Sequence, residues 1–72
     1  MTKKYFKLKR KDIAFVQFII EGYEGMATVT TIDPHTAIIQ ISIIPDFISD
    51  MSAVIKDLKN KYKMEGINCQ RK

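Results

Sequence analysis

Between Asp12 and Ile32 this chain has few ways to fold. An almost wholly apolar segment, residues 13–20, runs into Glu21-Gly22-Tyr23-Glu24-Gly25 and then straight into Met26-Ala27-Thr28-Val29-Thr30-Thr31-Ile32. The first segment has the length and composition of a helix, the glycines suit its stop, and the β-branched run suits a strand. No residues remain between them for a long loop. At roughly 100° per residue Gln17, Glu21 and Glu24 share one narrow polar strip. The apolar residues, from Ile13 to Tyr23, cover an arc of about 220° on the same projection. A helix lying on a core needs an apolar stripe only a little over ~100° wide. The surplus falls on Phe15 and Phe18, which must be covered by a second layer of protein or left exposed as a contact surface.

The rest of the chain extends this unit. Residues 3–9 alternate, with Phe6 and Leu8 on one face and Tyr5, Lys7 and Lys9 on the other, the period of a half-buried strand. Arg10-Lys11 forms a short turn. Asp12 is placed to cap the helix, its carboxylate accepting from free N–H groups of the first turn. The helix should run to about Glu24, with Gly25 as a left-handed stop. The runs 26–32 and 36–44 flank Asp33-Pro34-His35-Thr36, where Asp at the first and Pro at the second position favour a type I turn. In this hairpin Ala37, Ile39, Ile41 and Ile43 should face the core with Ala27, Val29 and Thr31. Thr28, Thr30, Gln40 and Ser42 should face outward. Pro45-Asp46 opens a second helix to about Lys63, whose Phe47, Met51, Val54, Ile55, Leu58 and Tyr62 form an amphipathic stripe. Gly66 should end that element, and Ile67-Asn68-Cys69 could add a short last strand. The order is that of an α+β fold: a split β-α-β-β-α(-β), or ferredoxin-like, antiparallel sheet with two helices on one face.

With 72 residues, the chain is one domain, its ordered core expected at about residues 3–64. Chains this short bury only about 60% of their unfolded surface, so something must usually add to the core. Cys69 is the single cysteine and His35 the single histidine, which excludes an internal disulfide and a zinc cluster of Cys and His. Self-association is the remaining source of buried area. The apolar run is far shorter than the ~20 residues that span a bilayer. With an unpaired Cys, no targeting segment and an initial Met that suggests an intact start, the expected compartment is the cytoplasm.

The charge is segregated. All twelve Lys and Arg lie in residues 3–11 or beyond position 55, whereas residues 12–55 carry six carboxylates and no base except His35. The middle is thus −6 and the ends +10, for a net +4. In the expected fold the strand–helix loop, the hairpin turn and the end of the second helix share one end of the molecule. Lys9, Arg10, Lys11, Lys61 and Lys63 then form a candidate anion-binding end beside a helix N-terminus. The simpler reading is a solvated basic surface.

Enzymatic chemistry finds little material. His35 belongs to an exposed turn, Cys69 to a basic tail, and Glu21 with Glu24 to the solvated strip, so no nucleophile, base and orienting group converge. No phosphate-binding glycine loop, dinucleotide fingerprint or calcium loop is present. Nucleic-acid binding is a rival reading, resting on Tyr5, Lys7 and Lys9 and a pI near 9.3. Gln40 and Ser42, however, are not stacking residues.

The string Glu21-Gly22-Tyr23-Glu24-Gly25, followed after Met26 by Ala27-Thr28-Val29-Thr30-Thr31-Ile32-Asp33-Pro34, resembles a small uncharacterised family of bacterial proteins, a domain of unknown function. The resemblance covers roughly residues 5–62. It implies a bacterial source and a stand-alone domain, with no known activity, cofactor or site residues. The topology is also similar to that of amino-acid-sensing ACT regulatory domains, although residues 8–12 lack the glycine such domains commonly carry. The expectation is a non-enzymatic module without cofactor or metal that forms a homo-oligomer, a dimer, through Phe15 and Phe18, through the open sheet face around Thr28, Thr30 and Ile38, or through a sheet edge extended between subunits. Sensing of a small ligand or anion at the basic end, and binding of RNA or DNA, are the alternatives.

Overall fold

The computed structural model describes residues 2–23 and 25–67. Strand β1 spans Thr2–Lys7, helix α1 Ile13–Glu21, strands β2 and β3 Ala27–Asp33 and Ile38–Ile43, helix α2 Ile48–Tyr62, and strand β4 Glu65–Ile67. The four strands form one antiparallel sheet in the order β2-β3-β1-β4, with β1 and β3 central. This is the expected split arrangement, α+β and ferredoxin-like in topology. The smallest extent of the Cα trace is 17 Å, which leaves room for one sheet and one helix layer. The other sheet face is bare.

The alternation in β1 and β3 follows from which face the helices cover. Phe6, Ile39, Ile41 and Ile43 are buried against Val16 and Ile20 of α1 and Met51, Ile55 and Leu58 of α2. Ala27, Val29, Ala37, Leu8 and Met64 complete the core. Each fully buried aliphatic side chain contributes about 1.5–3 kcal/mol of transfer free energy; Val16, Ile20, Ile39, Ile41, Ile43 and Met51 are of this kind.

Several local expectations are corrected. Asp12 makes no side-chain cap bond. The chain enters α1 through a 3-10 turn, Arg10–Asp12, in which the Asp12 N–H donates to the Lys9 carbonyl at 2.9 Å. The Ile13 N–H likewise donates to the Arg10 carbonyl, so backbone supplies an acceptor at the helix start where the carboxylate does not. Helix α1 ends at Glu21, capped by Gly22 in right-handed geometry, rather than at Glu24, which lies outside the described residues. Gly25 does take a left-handed φ of 79°, in the turn that launches β2. Helix α2 is stopped by Lys63, left-handed at φ 54°, whose N–H donates to the Lys59 carbonyl. Gly66 is not the stop; it sits inside β4 opposite Phe6. Of the expected last strand, Ile67 is in β4, and Asn68 and Cys69 lie outside the described residues. Thr31 is exposed rather than buried, although it pairs in register with the buried Ile39; beyond it the β2–β3 register shifts before Asp33, and Ile32 is 44% exposed. The hairpin turn is built on Asp33, whose Oδ1 accepts from the His35 N–H at 2.9 Å and the Thr36 N–H at 3.4 Å.

Candidate functional site

Two surfaces and two recesses stand out. The first surface is the outer side of α1. Val16 and Ile20 are fully buried beneath the helix, but Phe15 is 59% and Phe18 81% exposed. Phe15 lies one turn from Ile19, and Phe18 about 60° further round the helix at 100° per residue. Ile19 and Tyr23 form one wall of an open groove of about 550 Å³ between the helices, facing Ala53, Val54, Asp57, Leu58, Asn60 and Lys61 of α2. Phe15 and Phe18 do not line this groove; Phe18 lies on the side of α1 turned away from it. Two large exposed aromatics three residues apart are unusual on a surface with no partner.

The second surface is the bare face of the sheet. The strand pairings place Lys3, Tyr5 and Lys7 of β1 beside Ser42, Gln40 and Ile38 of β3, with Thr28 and Thr30 beyond on β2. The Tyr5 hydroxyl donates to Gln40 Oε1 at 3.0 Å, and Gln40 Nε2 donates to Ser42 Oγ at 3.3 Å. Ser42 is buried within this chain of hydrogen bonds. Tyr5 is the one aromatic residue on this face among the described residues. A base-stacking platform requires several.

The basic end assembles as the topology requires. Lys7 pairs with both Ile38 and Glu65, and the Leu8 N–H donates to the Ala37 carbonyl at 3.1 Å. These contacts bring the β1–α1 connection, the hairpin turn and the α2–β4 connection to one end of the sheet. Lys9, Arg10 and Lys11 are exposed on the first connection and Lys63 on the last. Lys61 faces elsewhere, lining the helix groove with its Nζ 5.9 Å from the centre of the Tyr62 ring. His35 is exposed in the turn. Beside it, the Thr36 hydroxyl and the His35 and Thr36 N–H groups hold the Asp33 carboxyl below its ordinary pKa of 3.8.

The smaller recess lies on the opposite flank of α2. It has a volume of about 400 Å³ and is lined by Lys4, Phe6, Ser52, Ile55, Lys56 and Lys59. Sequence reasoning missed it, although the signal was present: the period that turns Phe6 and Leu8 inward turns Lys4 inward too. Among the described residues, no three His, Cys, Asp or Glu side chains are grouped to hold a metal ion, and no helix is long and apolar enough to cross a membrane.

The comparison with curated proteins and that with solved structures return no match. The profile of one family, a domain of unknown function (DUF4911), matches residues 6–61. That span takes in β1 from Phe6, both helices down to the last turn of α2, and the whole hairpin. With most of its length matched, including the helix-to-strand unit and the exposed phenylalanines, the chain belongs to the DUF4911 family.

Proposed function

We propose that this domain is a non-enzymatic, ACT-like interaction module that acts by self-association, helix α1 of one copy packing on the helix layer of another. The exposure of Phe15 and Phe18, on a helix whose neighbours Val16 and Ile20 are fully buried, carries this reading. A small domain is marginal in stability, and a second copy supplies apolar burial that its own core lacks. Aromatic residues exposed in one chain and buried between two are the usual anchors of an interface. Helix α1 carries no basic side chain and only Glu21 as a charge among its described residues, so two copies can bring this face together with little charge to desolvate.

Sedimentation at micromolar concentration tests the reading. A dimer is expected for the native chain and a folded monomer for Phe15→Ser/Phe18→Ser. A native chain that sediments as a monomer rejects it. A double variant that loses its fold at every concentration, without a change in association, places the two rings in the core instead.

A further inference from the structure

The recess beside α2 contains a residue that the fold gives no reason to have. Lys4 is exposed, although its strand parity points inward: it pairs with the fully buried Ile41 and stands two residues from the buried Phe6. An aliphatic residue there would lengthen the core, whereas a lysine must lead its ammonium out along the flank of α2. It emerges where Lys56 and Lys59 also face, with the Ser52 hydroxyl beside them and Phe6 and Ile55 at the wall. The dipole of α2 accounts for Lys59 and Lys61 in its last turn, but not for Lys56 or for a lysine on a strand. No carboxylate lines the recess among the described residues, and Asp57 lines the groove on the other side of the helix. Breaks in an otherwise consistent pattern mark functional positions.

We propose that Lys4, Lys56, Lys59 and Ser52 bind the terminal phosphate of a small phosphorylated molecule of about nucleotide size. Three ammonium groups and a hydroxyl donor suit a dianionic monoester. The recess volume of about 400 Å³ lies in the range of small-ligand sites. A phosphodiester backbone offers two free oxygens and one charge per phosphate, which the three lysines of the recess match less well. The site lies on the flank of α2 and includes neither Phe15 nor Phe18, so the two sets of residues can be changed separately.

Amide-resolved NMR titration of the full chain at low salt tests this with inorganic phosphate, adenosine monophosphate and a single-stranded oligonucleotide lacking terminal phosphates. Saturable shifts at residues 4–6 and 52–59 are expected with the first two. Lys56→Gln/Lys59→Gln should weaken binding by about tenfold or more, as loss of charge-assisted contacts implies, while Lys9→Gln/Lys11→Gln leaves it unchanged. Lys4→Ile should weaken binding and raise Tm together, the opposite of what a structural lysine would do. No saturable shift at millimolar phosphate, shifts confined to the Lys9–Lys11 connection, or binding of the oligonucleotide alone overturns the proposal.

Discussion

Helices α1 and α2 cover the same sheet face by different means. Helix α2 is long, buries Met51, Ile55 and Leu58, and turns lysines, aspartates and serines to solvent. Its apolar stripe is accounted for within its own chain. Helix α1 is short and almost entirely apolar, yet fully buries only Val16 and Ile20 and leaves its two phenylalanines in water. The comparison teaches that hydrophobicity alone does not locate a core. The part of α1 that its own fold leaves uncovered is what distinguishes it from a structural helix.

The largest expected effect comes from breaking this contrast within α1 itself. Ile20→Ala should cost about 2–5 kcal/mol, enough to unfold much of a domain this size, as thermal or urea denaturation would show. Phe18→Ser, on the same helix, should change monomer stability by no more than about 0.5 kcal/mol. Equal losses at the two positions would erase the distinction between core and surface in α1.

The helix ends sharpen the comparison. Past α1 the chain turns on Gly25 with φ 79° and open space where a Cβ would stand. Gly25→Ala should therefore cost about 1 kcal/mol through backbone conformation alone. Helix α2 places Lys63 in the same left-handed region, so Lys63→Gly should stabilise by about 0.5–1 kcal/mol. Opposite signs at the two ends, read from urea midpoints, are the expected result.

The smallest effect belongs to Asp33, remote from both helices. Its folded pKa is depressed by the Thr36 hydroxyl and the turn N–H groups. Its contribution is therefore complete above the ordinary carboxylate range and is lost as pH falls through the depressed folded value. Asp33→Ala should lower Tm at neutral pH, and the difference from the native chain should narrow in acid. A gap that widened in acid would reverse the assigned direction.

Much of the architecture was legible because periodicity and turn chemistry agreed along the chain. The hairpin followed from Asp33-Pro34, the α2 stripe from its spacing, and the Phe15 and Phe18 surplus from the width of one apolar arc. What could not be read depends on neighbours in space. Asp12 is a good cap by residue type, but a 3-10 turn satisfied the backbone first. Lys63 is a poor left-handed residue by propensity, yet the core contact of the following Met64 holds the chain there. The Lys4 recess joins residues some fifty positions apart, so its charges looked like unrelated members of two basic blocks.

The irregularity at Ile32 bears on how copies of this domain can join. Strand β2 is the outer strand of the sheet on its side, and hydrogen-bonded addition of another copy along it would leave a fresh outer strand each time, so that growth need not stop. The register shift interrupts the β2–β3 ladder after Thr31 and adds local twist, so that β2 is regular only over residues 27–31. A helix-to-helix contact about a two-fold axis uses itself up on forming. An edge strand shortened in this way is a poor template for open-ended addition of further strands.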